Sequence, residues 1–188
     1  MNPSTLHILG FAGSLRQKSY NRGLLRAAQK LAPKGIEIEI FDLAPIPMYN
    51  EDVLEKGAPE PVKQFKDLIK AADALLIATP EYNYNIPGVL KNAIDWASRP
   101  PTDRVFYHKP IAIMGASTGQ FGTVRSQLAL RQVFVFTESY VLPKPEVLVF
   151  RAAERFDAQS NLTDEDTQEH VRGLITALIE WTKKVQDG

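Results

Sequence analysis

The sequence predicts an α/β fold, a three-layer sandwich with helices on both faces of a parallel sheet, and three observations carry that expectation. Short apolar runs of strand length alternate along the chain with longer stretches of helical periodicity. Two of these runs, Leu6 to Phe11 and Ala74 to Ala78, are apolar on both faces, as central parallel strands must be when helices cover each side. A third, Ile36-Glu37-Ile38-Glu39-Ile40-Phe41, alternates strictly, so one of its faces is wet and it belongs at a sheet edge.

Each element has its own grounds. After the first strand, residues 21–32 place Leu24, Leu25, Ala28, Leu31 and Ala32 on one helical face, and Pro33 and Gly35 end that helix. The edge strand at 36–41 leads into a proline-punctuated loop from Ala44 to Pro61, longer than a usual connection. Its Met48-Tyr49-Asn50 could reach a ligand or simply cover the surface. Pro61 suits the first turn of a helix whose inward residues are Val62, Phe65, Leu68, Ile69 and Ala72. The run Ala74 to Ala78 is the third strand, and a helix follows over 89–98 with Val89, Leu90, Ala93, Ile94 and Ala97 inward. Pro110 to Met114 is a fourth strand, 124–136 a helix, and Val141-Leu142 with 146–150 a last strand broken by Pro143 and Pro145. The C-terminal helix starts with Thr163 as cap, carries Asp164, Glu165 and Asp166 at its positive end and Lys183 and Lys184 at its negative end. Val171, Leu174, Ile175, Leu178, Ile179 and Val185 form its apolar stripe. Five strands with the alternating second one at an edge fit the flavodoxin-like order 2-1-3-4-5, read as a single domain over residues 1–188.

In that order strands one, three and four are neighbours. The three polar loops that follow them therefore converge at one crevice beyond the carboxyl ends of the sheet. The first, Gly10-Phe11-Ala12-Gly13-Ser14-Leu15-Arg16-Gln17-Lys18-Ser19-Tyr20-Asn21, runs from a strand into a helix N-terminus. Free backbone N–H groups and the positive end of the helix dipole favour an anion there. Ser14, Ser19 and Asn21 add side-chain donors, and Arg16 adds a planar guanidinium suited to phosphate oxygens. Taken alone, the loop is equally a plain turn in which Ser19 or Asn21 caps the helix. It is neither G-x-x-x-x-G-K-[ST] nor G-x-G-x-x-G, because no glycine precedes Lys18, and Leu15 and Arg16 stand where a pyrophosphate needs small residues. A mononucleotide fits better than a dinucleotide. The second loop, Thr79 to Gly88, carries Tyr82, Asn83, Tyr84 and Asn85 on a proline-stiffened backbone suited to the edge and face of a flat heterocycle. The third, Gly115 to Gly122, permits close backbone approach and offers Ser117 as a donor. A flat, edge-polar heterocycle bearing one phosphate describes FMN.

Composition narrows the chemistry. The chain has 188 residues, 44% hydrophobic, with 22 basic residues against 22 acidic ones, which argues against a nucleic-acid protein. It has no cysteine, so disulfides, thiolate nucleophiles and Fe–S ligation are excluded and any redox chemistry belongs to a bound cofactor. His7, His108 and His170 are scattered and form no triad or metal set. The N-terminus shows neither a charged n-region nor a long apolar core, so the expectation is a cytoplasmic protein without a membrane partner.

Gly13-Ser14-Leu15-Arg16 with Ser19 and Asn21, then Thr79-Pro80-Glu81-Tyr82-Asn83-Tyr84, Pro87-Gly88 and Leu90-Lys91-Asn92-Ala93-Ile94-Asp95-Trp96, resemble the NADPH-dependent FMN reductase family. That family includes NAD(P)H-linked quinone, azo-dye and chromate reductases. The resemblance implies that Ser14, Arg16, Ser19 and Asn21 hold the FMN phosphate. It further implies that Pro80, Glu81, Tyr82 and Asn83 border the isoalloxazine and that Ser117 lies near the ring. A nicotinamide would pass hydride to the flavin, leave, and be replaced by an acceptor such as a quinone, azo dye, metal oxyanion or free flavin. No side chain is nominated as catalytic acid or base, because the flavin carries the chemistry. The rival from another class is a flavodoxin-type electron carrier without nicotinamide turnover. Such carriers are strongly acidic, whereas this chain has no net charge. The helices holding Trp96 and Leu128 to Phe136 are apolar on more than one side, which suggests a homodimer or homotetramer.

Overall fold

In a computed structural model, which describes residues 5–186, the apolar runs pair as parallel strands and the periodic stretches are helices. β1 (Leu6–Ala12) lies between β2 (Ile36–Phe41) and β3 (Ala74–Ala78), in a register that sets Leu6 beside Ile36 and Ala12 beside Ala78. β4 (Pro110–Ala116) pairs with β3, and the strand order is β2-β1-β3-β4-β5. The edge beyond β4 is shared. β5 (Tyr140–Val141) pairs with its start and β6 (Val147–Val149) with its end, so the expected fifth strand is two segments separated by Pro143 and Pro145.

Side-chain alternation along β1 divides the interior into two cores. Ile8 and Ala12 face α1 (Tyr20–Leu31) and α6 (Glu165–Gln186), packing with Leu24, Leu25, Val171, Leu174 and Leu178. Leu9 and Phe11 face the opposite layer of α3 (Glu60–Ala71), α4 (Gly88–Ala97) and α5 (Val124–Phe136), packing with Phe65, Leu90, Trp96, Leu130 and Phe134.

Three details depart from the sequence reading, and the choice left open at Tyr49 is decided. The long loop holds one short helix, α2 (Glu51–Leu54), whose first turn is capped by the Asn50 side chain accepting from Asp52 N–H. Tyr49 is a cover, its ring edge-on to Trp96 at 4.9 Å and its N–H donated to Asn92 Oδ1. Trp96 is 0% exposed within its own chain and donates Nε1–H to the Pro47 carbonyl, so it offers nothing to a second subunit. The cap of α6 is Asp164, which accepts from Thr167 N–H at 2.9 Å, while the Thr163 hydroxyl donates to the Arg155 carbonyl. Arg155 decides between the two residues, since its guanidinium pairs with Asp164 at 2.7 Å.

Residues 99–108, between α4 and β4, are fixed by a charged side chain inside the fold. Lys66 is buried and donates Nζ to the Arg99 carbonyl and to Asp103, which Lys70 also holds. Burial pushes the Asp103 carboxyl up, but hydrogen bonds and charge from Lys66 and Lys70 outweigh it and leave it below the usual carboxylate range.

Candidate functional site

The loops after β1, β3 and β4 line one open cleft of about 350 Å³ at the carboxyl edge of the sheet. It brings together Ser14, Arg16, Ser19 and Asn21 from the first loop, Pro80, Glu81 and Tyr82 from the second, and Ser117 from the third. Asn83 is not in its lining. Tyr20, Ala116 and Thr118, which the sequence reading does not single out, are.

The first loop leaves its donors free. Gly13 N–H closes onto the Ala78 carbonyl at 2.9 Å, and Ser19 N–H closes a turn onto the Arg16 carbonyl at 3.1 Å. Between them, the backbone N–H groups of Leu15, Arg16, Gln17 and Lys18 make no hydrogen bond among the described residues. Ser19 is the N-cap of α1, its Oγ accepting from Arg22 N–H at 3.4 Å. Arg16 has no carboxylate partner among the described residues; its guanidinium lies 5.4 Å from the Tyr20 ring centroid. Unpaired N–H groups, a helix N-terminus and a free guanidinium make a site for a doubly charged oxyanion. The loop therefore fits a phosphate.

Asn21 also bonds to the end of β4. Its Nδ2 donates to the Ala116 carbonyl and its Oδ1 accepts from Ala116 N–H, both at 2.9 Å, and the side chain is buried. The amide thus joins α1 to the end of β4, and its second Nδ2 hydrogen makes no bond among the described residues.

The second loop is a tight two-residue turn. Tyr82 and Asn85 exchange both backbone hydrogen bonds, at 3.2 and 3.0 Å, with Asn83 and Tyr84 left-handed at φ 51° and 66°. Such a turn demands two positive φ values, which asparagine tolerates and tyrosine resists. Tyr84 is held there by Arg125, whose guanidinium is sandwiched between the Tyr84 ring at 3.8 Å and the Phe121 ring at 4.3 Å. The same guanidinium donates to Glu81 at 2.7 Å, so loops two and three are clasped together.

Glu81 also completes α5. Thr123, at the N-cap position, is left-handed at φ 70° and makes no side-chain cap. The Glu81 carboxylate reaches across instead and accepts from Arg125 N–H at 2.9 Å and Ser126 N–H at 3.3 Å. Its side chain is committed to the helix, leaving only its backbone for a ligand. Below it, Gly115 fits where no other residue would: a Cβ there would lie 2.0 Å from Thr123 Oγ1 and 2.4 Å from the Thr79 carbonyl.

The chain matches the family described as NADPH-dependent FMN reductase over residues 6–154. A NAD(P)H-dependent FMN reductase of Pseudomonas aeruginosa is 50% identical over 181 residues, covering 96% of this chain and 97% of that protein. The chain belongs to the NADPH-dependent FMN reductase family. A NAD(P)H:quinone oxidoreductase of Solanum tuberosum is 45% identical over 179 residues, covering 92% of this chain and 91% of its own. Among solved structures, the flavoenzyme NAD(P)H:(acceptor) oxidoreductase FerB of Paracoccus denitrificans superposes with a TM-score of 0.87 at 36% identity, covering 95% of this chain and 98% of that one.

As an FMN reductase-family chain it is an oxidoreductase whose cofactor is FMN. Arg125 is the feature that the sequence reading missed. A cation in the first turn of a helix opposes the helix dipole, so it needs an anionic partner, and that misplacement is the signal that could have paired it with Glu81.

Proposed function

We propose that the cleft binds FMN with its phosphate on the first loop, and that the protein passes hydride from NAD(P)H through that flavin to a small-molecule acceptor. The observation that carries this reading is the run of unpaired backbone N–H groups in the first loop, whose Ser14, Arg16 and Ser19 line the same cleft as the second and third loops. Bound FMN supplies the hydride-accepting and electron-donating chemistry. The chain supplies binding, orientation and access. Ser14, Arg16 and Ser19, with the backbone of 15–18, take the phosphate. Asn21 serves the site indirectly, by fixing Ala116 beneath it. Pro80, Glu81 and Tyr82 present backbone groups and the Tyr82 ring to the heterocycle, and Asn83, outside the lining, shapes the turn that carries them. Ser117 Oγ accepts from Gly119 N–H at 3.1 Å, which leaves its own hydroxyl proton free to donate to the ring.

Relatives named as quinone reductases support a quinone as the acceptor. Anaerobic stopped-flow mixing of the FMN-loaded protein with NADPH and with NADH tests the function. Bleaching of the oxidised flavin by either, followed by reoxidation on adding benzoquinone, is expected. A flavin that neither nucleotide bleaches would make the protein an electron carrier.

The exposed face of α5 supports a homodimer or homotetramer of single-domain subunits. Leu128, Val135 and Phe136 are 56%, 75% and 78% exposed, three large apolar side chains left in water on one helix. Light scattering tests it, and a monomer mass would refute it. Among the described residues no helix is long and apolar enough to cross a membrane. A cytoplasmic location, tested by cell fractionation, completes the proposal.

A further inference from the structure

The segment joining β6 to α6 forms a strap that comes to rest on the first loop. Phe156 and Leu162 pair as an antiparallel bridge, and Asp157 ties the tip by accepting from Gln159 N–H, Asn161 N–H and Asn161 Nδ2 at 2.9, 2.8 and 3.0 Å. These bonds hold Asp157 below the usual carboxylate range, the Asn161 backbone contributing most.

At the tip, Ser160 is buried and left-handed, at φ 60°. That backbone region is unfavourable for a serine, and such outliers cluster where a particular contact is required. Two contacts lock the residue in place: Arg26 Nη2 donates to its carbonyl at 2.9 Å, and Gly23 passes so close that a Cβ there would lie 2.1 Å from the same oxygen. Its hydroxyl donates to the Lys18 carbonyl at 3.0 Å.

The Lys18 carbonyl belongs to the same peptide plane as Ser19 N–H, which donates to the Arg16 carbonyl at 3.1 Å. Both polar ends of that plane are therefore held, one by the loop itself and one by Ser160. The turn so fixed carries Arg16 and Ser19 and sets the direction of the free N–H groups at 15–18. Tyr20 is steadied from the same strap, its ring 5.0 Å from that of Phe156.

We propose that Ser160, 142 residues away in sequence from Lys18, is a positioning residue for the FMN phosphate: through the Lys18 carbonyl it holds residues 16–19 in their anion-binding conformation. The proposal rests on the reading of the first loop as a phosphate cradle. It assigns to the chain beyond β6 a part in cofactor retention that no residue of the cleft reveals.

The test is the ratio of affinities for FMN and riboflavin, which share the ring and differ by the phosphate. Both are titrated into the full-length, flavin-stripped protein carrying Ser160→Gly, which keeps the positive φ and removes the hydroxyl. Ser160→Ala is the second variant, since it removes the same hydroxyl and retains the Cβ. Loss of one hydrogen bond predicts an FMN dissociation constant raised about three- to tenfold, with riboflavin changed less than about twofold. A general loosening of the fold would move both flavins together. Equal shifts, or no shift for either, would overturn the proposal. Arg16→Ala, measured alongside, separates two failures. If it lowers the preference for FMN and the Ser160 variants do not, Ser160 has no such role; if neither does, the phosphate cradle itself is wrong.

Discussion

Removing the Asn21 amide tests whether it is a joint of the fold or a ligand of the phosphate. Two hydrogen bonds of 2.9 Å, one in each direction, connect it to Ala116, and the side chain is buried. Asn21→Ala leaves one N–H and one carbonyl at the end of β4 without partners. An unsatisfied buried group costs about 1–3 kcal/mol, and the neighbouring cleft admits some water, so the pair should cost about 2–4 kcal/mol. For a chain of this size that corresponds to a fall in melting temperature of roughly 5–12 °C. Urea unfolding of the flavin-free protein should show a lower midpoint with an unchanged slope. Asn21→Asp should be worse at neutral pH, because a carboxylate keeps the acceptor for Ala116 N–H but opposes the Ala116 carbonyl. Its folded pKa would then be raised, so the penalty is absent below the unfolded value near pH 4 and complete only above the raised folded one. An unchanged urea midpoint together with a tenfold loss of FMN affinity would refute this account and return the amide to the phosphate.

Four further outcomes are expected. Arg16→Ala should weaken FMN binding by about 1.5–3 kcal/mol, seen as faster recovery of free-flavin fluorescence, and should leave the urea midpoint nearly unmoved, because among the described residues the guanidinium makes no hydrogen bond or ion pair and lies only over the Tyr20 ring at 5.4 Å. Gly115→Ala should fail to give a folded protein in solubility and circular dichroism assays, since its Cβ would meet backbone as well as a side chain. Asp103 and Asp164 are both held below the usual carboxylate range, Asp164 chiefly by the Thr167 hydroxyl, so the stability they contribute is present above about pH 4 and lost as pH falls through their lowered values. Lys66→Met should shrink that acid-side slope in melting temperature against pH. Phe136→Glu should shift the light-scattering mass towards the monomer, and an unchanged mass would remove this face of α5 from any interface.

The sequence made the sheet legible where pattern alone determines structure. β2 begins and ends where the Ile–Glu alternation does, between Gly35 and Asp42. β4 runs two residues beyond its apolar stretch because Gly115 and Ala116 are paired with Leu148 and Val149, a partnership that only the assembled sheet supplies. α2 has four residues and no buried one, so it has no periodicity to read. Eight of the residues expected at the site line one cleft, since strand order forces their loops together. Their division of labour was not legible. Asn21 and Glu81 bear the right functional groups for a ligand, yet each also bonds backbone groups brought near by tertiary contact. Composition and spacing contain no record of such partners.

The Pro47 carbonyl accepts from both Asn92 Nδ2 and Trp96 Nε1, each at 2.8 Å, so the excursion between β2 and α3 is riveted to α4 near its start. Beyond that rivet no residue of α2 is fully buried, and Gly57, at φ 115°, faces open space. An epitope or a small reporter domain spliced in at Lys56–Gly57 would hang from the far side of the anchor, at residues that do not line the cleft. The fold thus carries its own attachment point for engineering.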